Sequence, residues 1–154
     1  MIKLMRCLML AAAGYGAGAW RLAQQQRHLA ALRQLYRLLG RVWDEIEFRA
    51  LPTEQILRLL QGEPGFELLE LDRCTALRSY ALPELFSQEE RAAFGPAFSG
   101  LGQGTSPESC RMLAYYQRRC LAFTERAEKN ETKAKQLYRP FGLCTGLLAA
   151  LLLM

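Results

Sequence analysis

The chain has 154 residues, and its 20 Lys and Arg against 15 Asp and Glu give a formal charge of +5. The basic residues are not gathered with interleaved aromatic side chains on one face, so the sequence does not predict a nucleic-acid interface. There are 5 cysteines without a C-x-x-C pair, and the single histidine has no acidic or thiol neighbour in the sequence. These features give no basis for a metal site, a disulfide framework or a cofactor.

The first element in chain order is an uncharged apolar run, CLMLAAAGYGAGAW, at residues 7–20. As a helix it would span about 21 Å, which is less than the ~30 Å hydrocarbon core of a bilayer. Apolar residues before the run, with Lys3 and Arg6 snorkelling, supply extra length. The pattern also fits a cleavable signal peptide in outline, with AGA at residues 17–19 as the cleavage site. We predict a transmembrane anchor over residues 1–20.

A second apolar run, FGLCTGLLAALLLM, occupies residues 141–154. Its last part is apolar on every side, which a small soluble domain could cover only as a deeply buried core helix. Membrane insertion explains the pattern better. We therefore predict a second transmembrane anchor over residues 140–154.

The charges beside the two runs predict an orientation. Basic residues are concentrated after the first run and before the second: Arg21, Arg27, Arg33, Arg37 and Arg41, then Arg126, Lys129, Lys133, Lys135 and Arg139. The positive-inside rule then places residues 21–139 in the cytoplasm and both termini outside it. A basic region beside a bilayer also predicts contact with anionic lipid.

The first half of the predicted cytoplasmic domain has the apolar periodicity of a long helix. Its seam is Leu29, Leu32, Tyr36, Leu39, Trp43 and Ile46, widened by Leu35, Leu38 and Val42. This breadth is typical of a bundle helix. A polar stripe on the opposite side consists of Arg33, Arg37, Arg41, Glu45 and Arg49. A solvated face explains that stripe, and a docking surface for an acidic partner at Arg33, Arg37 and Arg41 is the alternative.

The remaining elements are also predicted to be helical. A second long helix over residues 108–139 has its seam at Leu113, Tyr116, Cys120, Phe123, Ala127, Asn130, Ala134 and Leu137. Between the long helices we predict a segment from Pro52 to Gln61, a turn at residues 62–65, an amphipathic stretch at 66–82 and a weak helix capped by Ser87 and Glu90. A loop follows at 99–109. The prediction is an all-α, membrane-anchored bundle with two long antiparallel helices and shorter helices between them.

Motifs for catalysis are missing from the sequence. There is no G-x-S-x-G, no P-loop and no H-x-x-x-H spacing. The stretch GLGQGT at residues 100–105 resembles a phosphate-binding loop, but no predicted strand precedes it and no Lys follows it. We therefore expect a protein that is not an enzyme.

The layout and several short motifs resemble the stage III sporulation protein AB family. The stretch DEIEFRALPTEQIL matches a family pattern through Glu45, Ile46, Phe48, Pro52 and Leu57, although Thr53 and Glu54 depart from it. Further matches are Leu101 and Gly102 in the glycine loop, where Thr105 replaces an acidic residue, and Lys135, Tyr138, Arg139 and Gly142 before the last run.

This resemblance implies a subunit of the channel that links mother cell and forespore in endospore formation. The family's cytosolic helical domain is similar to that of the inner-membrane F proteins of type II secretion. It implies a non-enzymatic platform in the outer forespore membrane, with its domain on the mother-cell side, and homo-oligomers are compatible with it. The implied partners are a sporulation ATPase and other stage III sporulation membrane subunits. The alternatives from the residues are an adaptor or regulator unrelated to secretion, or a membrane enzyme whose site is assembled across subunits.

Overall fold

The computed structural model describes the backbone of residues 2–102 and 105–152, and the side chains of residue 16 and of residues 18–102 and 105–136. Within these ranges every regular element is helical and no strand occurs. The four α-helices are α1 (Ile2–Arg49), α2 (Thr53–Gln61), α3 (Gln88–Ser99) and α4 (Ser106–Leu152). Short 3₁₀ turns lie at Glu67–Leu69, Leu71–Arg73 and Leu77–Ser79. The all-α prediction is therefore confirmed.

The chain forms two compact units. The central unit is His28–Glu125, and the terminal unit combines the first part of α1, up to Arg27, with the last part of α4, from Arg126. The predicted anchor at residues 140–154 lies outside the residues with described side chains, as does most of the anchor at 1–20. Among the residues that the structure describes, none of the helices has the length and apolarity that a membrane crossing requires.

In the central unit, α1 and α4 run in opposite directions. This follows from two contacts: Leu32 of α1 meets Cys120 of α4, and the later residue Gly40 meets the earlier residue Gln117. Cys120 Sγ donates to the backbone oxygen of Leu32 at 3.4 Å. Further along α1, a Cβ atom on Gly40 would stand only 2.9 Å from Nε2 of Gln117. A glycine at position 40 therefore permits the close approach of the two helices. Burial raises the pKa of the Cys120 thiol to about 12, so this side chain packs as a neutral group.

The buried face of α1 is rotated from the predicted seam. Its buried apolar residues are Leu29, Ala31, Leu32, Leu35, Leu38, Leu39, Val42 and Ile46. Tyr36 is 36% exposed and Trp43 is only half-buried, so their placement in the core was wrong. The reason is that α1 contacts more than one partner: Cys120 of α4 approaches Leu32, and the backbone of Leu68 donates to Gln34. The two large rings therefore lie at the edge of the buried face.

The segment between α2 and α3 differs from the amphipathic helix predicted for residues 66–82. It folds as 3₁₀ turns whose apolar side chains, Phe66, Leu69, Leu71, Leu77, Tyr80 and Leu82, are buried. Glu70 between two of the turns has φ 50°, which a continuing α-helix cannot accommodate. Side chains then bind the freed backbone: Gln61 Nε2 donates to Leu71 O and Cys74 O, both at 3.0 Å.

Tyr80 adds a further bond to the same segment, because its hydroxyl donates to Leu69 O at 2.6 Å. Burial raises the pKa of this phenol. Its ring also meets Phe98 of α3 edge-on, with centroids 4.9 Å apart. The 3₁₀ turns are thus fastened to the core by specific side chains rather than by a helical ladder.

The capping box predicted at the start of α3 is confirmed. Ser87 Oγ accepts from the Glu90 amide at 3.2 Å, and Glu90 Oε2 accepts from the Ser87 amide at 2.8 Å. The same carboxylate oxygen lies 2.8 Å from Nε2 of His28 on α1. Burial acts to raise the pKa of Glu90, but the hydrogen bonds from His28 and Ser87 outweigh it and hold the pKa below its usual value. The helix continues through Pro96 to Ser99, further than predicted.

Candidate functional site

Two of the stretches that carry the family resemblance lie close together in the central unit, although about fifty residues separate them in the sequence. Ser106 Oγ, at the start of α4, donates to Ile46 O near the end of α1 at 3.5 Å. Beside this contact, a Cβ on Gly102 would lie 3.7 Å from the methyl group of Thr53. The end of α1, the start of α2 and the glycine loop therefore meet in one region.

The glycine loop is held in place by one arginine. Arg78 donates from Nε to Leu101 O and from Nη2 to Gly102 O, both at 2.7 Å. Gly102 has φ +75°, a backbone conformation that favours glycine. This explains a glycine at a motif position without any ligand.

The other motif residues divide between core and surface. Ile46, Leu57 and Leu101 are buried, and Pro52 is exposed immediately before α2. Tyr138 and Gly142 lie outside the residues with described side chains. Most of the described motif residues thus serve packing and helix boundaries, and Glu45 is the exception.

Glu45 is a buried carboxylate, with 5% of its surface exposed. It lies one turn from an arginine on either side: Arg41 Nη1 is 3.8 Å from Oε1, and Arg49 Nη1 is 3.3 Å from Oε2. Oε2 is buried and accepts no hydrogen bond within the described part of the chain. A buried carboxylate oxygen that accepts no hydrogen bond costs stability, and the charge of Arg49 offsets part of that cost here.

A cleft opens above Glu45, between α1 and the end of α2. It has a volume of about 430 Å³. Its lining residues, named here the arginine cleft, are Arg41, Glu45, Arg49, Arg58, Leu59, Gly62, Glu63 and Pro64. Most of these residues are exposed, so the cleft is an open groove rather than an enclosed pocket.

The predicted docking residues Arg33, Arg37 and Arg41, named here the arginine stripe, are all exposed on α1. Arg41 also has an internal role, because Nη2 and Nε donate to Glu63 Oε2 at 3.3 and 3.4 Å. The Arg37 guanidinium lies 3.8 Å from the position that a Cβ on Gly65 would take. The stripe therefore runs beside the turn after α2 and continues into the arginine cleft at Arg41.

Sequence reasoning did not single out Arg58, Leu59 or Glu63 for this region. The alternation of Arg41, Glu45 and Arg49 at helical spacing is visible in the sequence, but the burial of Glu45 is not. The position of α2 against α1 depends on the chain reversal at Ala50 and Pro52, and no periodicity encodes that reversal. An arginine at the end of a short helix is also common, since cations favour helix C-termini.

The described residues contain no cluster of three or more His, Cys, Asp or Glu side chains arranged to hold a metal ion. His28 is engaged with Glu90, and its ring meets Phe86 edge-on at 6.3 Å. This histidine therefore connects α1 to the start of α3. Its geometry is that of a structural contact.

No protein-family model matches this chain, and no curated protein and no solved structure is significantly similar to it.

Proposed function

We propose that this chain is a non-enzymatic platform subunit of a secretion-like membrane complex, which docks a cytosolic ATPase through the arginine stripe. In this proposal, residues 1–20 and 140–154 are transmembrane anchors and the region between them is cytoplasmic. The complex is the channel of endospore formation that the motif resemblance implies, in the outer forespore membrane. Other subunits of that channel, further copies of the chain and anionic lipid are the additional contacts.

The observation that carries the proposal is the meeting of the motif stretches beside a basic helical face. Glu45 and Ile46 belong to one motif and Gly102 to another. Glu45 lines the cleft into which the stripe continues, and the next residue, Ile46, accepts from Ser106 just after the glycine loop. An exposed row of like charges at i,i+4 is unfavourable in an isolated helix, by a few tenths of a kcal/mol. Glu45 and Glu63 already offset that repulsion at Arg41, and a partner with acidic groups would add to this at Arg37.

The proposal is tested by the association of the full-length chain with the ATPase of the same complex, measured at two ionic strengths. Arg37→Glu is the informative variant, because Arg41 is tied to Glu63 and Glu45 and its reversal would also disturb the fold. We expect the variant to bind several-fold more weakly, chiefly at low salt, because exposed charges act through the association rate and are screened.

Arg91→Glu on α3 is the matched control, since Arg91 is also exposed and makes no ion pair within the described residues. It should bind like the parent. If the parent chain does not bind the ATPase at either salt concentration, the platform proposal is wrong. The adaptor unrelated to secretion then becomes the better explanation of a basic helical domain.

A further inference from the structure

The arginine cleft is uneven in how its charges are compensated. Arg41 lies against both Glu45 and Glu63, and Arg49 lies against Glu45. Arg58 lines the same cleft and has no ion pair or hydrogen bond within the described part of the chain. The lining thus contains three arginines and two glutamates, and the excess cation is Arg58.

An apolar side chain stands next to that cation. Leu59 also lines the cleft and is 50% exposed. Leu59 and Arg58 are consecutive residues. Together they offer a binding partner one apolar contact and one positively charged contact. Arginine is among the residues that contribute most to interfaces, and it often binds a carboxylate in a bidentate geometry.

Glu45 is the buried residue of the cleft lining. Its carboxylate lies between two of the lining arginines, 3.8 Å from Arg41 Nη1 and 3.3 Å from Arg49 Nη1. Glu45 therefore compensates Arg41 and Arg49 by charge, and it does not reach Arg58 through any ion pair within the described residues.

We infer that the arginine cleft binds an acidic segment of a partner protein, with a carboxylate of that segment on Arg58 and a neighbouring apolar side chain on Leu59. The excess positive charge argues for an acidic occupant. The open shape argues for a segment of protein, because small-molecule sites usually enclose most of their ligand. This inference deepens the proposed function and rests on it: the segment is a second contact of the docked partner, beyond the arginine stripe.

The experiment uses the full-length chain and two probes. The first probe is a fluorescent synthetic peptide with Leu and Glu at helical spacing, whose binding is followed by anisotropy. We expect Arg58→Glu to weaken binding at least tenfold and Arg58→Gln to weaken it several-fold. The control Arg91→Glu, with the same charge change on α3, should shift binding less than twofold.

The apolar contact has its own matched pair. Leu59→Ala should weaken peptide binding severalfold, whereas Leu121→Ala should leave it unchanged, because Leu121 is similarly exposed but lies on α4. The inference is overturned if the parent does not bind the peptide, if Arg58→Glu binds like the parent, or if Arg58→Glu and Arg91→Glu weaken binding equally. The last result would show only an effect of net charge.

The second probe is the ATPase, which separates this inference from the platform proposal. Loss of ATPase binding in Arg58→Glu, together with loss of peptide binding, supports both. If the parent chain binds the peptide but does not bind the ATPase, the inference about the arginine cleft is supported and the platform proposal is wrong. Two further probes are phosphatidylglycerol vesicles and, separately, inorganic phosphate in solution. If Arg58→Glu loses vesicle or phosphate binding while peptide binding stays unchanged, the occupant is an anionic headgroup or free phosphate and the inference is wrong.

Discussion

The buried face of α1 and the segment of 3₁₀ turns pack in the same central unit, yet they are specified in different ways. The face of α1 depends on the spacing of apolar side chains, which recur at helical intervals from Leu29 to Ile46. The turns depend on individual polar side chains, such as Gln61 and Tyr80, that bind backbone carbonyls. Periodic apolar spacing is redundant over many residues, whereas each of those hydrogen bonds depends on one side chain.

The largest expected effect is on the α1 face. Leu39 is fully buried, so Leu39→Ala should destabilise the chain by about 2–5 kcal/mol through lost burial and the resulting cavity. Trp43→Ala should cost clearly less, because Trp43 is only half-buried and its ring meets the exposed Phe48. Urea unfolding followed by far-UV circular dichroism measures both. If Trp43→Ala lowers the free energy of unfolding as much as Leu39→Ala or more, the buried face is centred where the sequence periodicity places it.

This comparison explains what could be predicted. The long helices, the break at Pro52, the turn at residues 62–65 and the capping box of Ser87 and Glu90 follow from local spacing and local chemistry. The position of Trp43 could not be predicted, because the heptad seam assumes a single partner helix. α1 contacts both α4 and the backbone of the turns.

The region of turns was mispredicted because apolar spacing alone does not distinguish an α-helix from successive 3₁₀ turns. Phe66, Leu69, Leu77 and Tyr80 are buried in either conformation. The difference depends on Gln61, which precedes the segment in the sequence and donates to the carbonyls of Leu71 and Cys74 within it. These hydrogen bonds form only in the folded chain, so the local sequence does not predict them.

An intermediate effect is therefore expected from Gln61→Leu. It introduces an apolar side chain of similar size and leaves Leu71 O and Cys74 O without their donor, at a cost of about 1–3 kcal/mol. Hydrogen exchange should quicken in the 3₁₀ turns and stay slow in the central part of α1. Gln55→Leu is the control, because Gln55 is exposed on the same helix and its side chain makes no hydrogen bond to any residue that the structure describes. Equal acceleration in α1 would mean that the turns are not separately fastened.

The candidate site shows the same division. Arg33, Arg37, Arg41, Glu45 and Arg49 could be placed on one face of a helix from their spacing. The arginine cleft could not, because Arg58 and Leu59 reach it only through the reversal between α1 and α2. The burial of Glu45 beneath exposed arginines also depends on that reversal.

The smallest expected effect concerns the reversal itself, where Ala50 has φ 47°. Leu51 N donates to Glu45 O at 3.4 Å across this residue, and a left-handed residue that ends a helix is usually glycine. A non-glycine residue in the left-handed region costs roughly 1–2 kcal/mol, while glycine loses about 0.4–1 kcal/mol through greater freedom of the unfolded chain. Ala50→Gly should therefore stabilise the chain by up to about 1 kcal/mol, seen as a higher urea midpoint. Ala92→Gly, at an exposed position inside α3, should lower the midpoint by about as much. If both substitutions lower it, the backbone at Ala50 is not strained, and the reversal that forms the cleft is held by the packing of α2 alone.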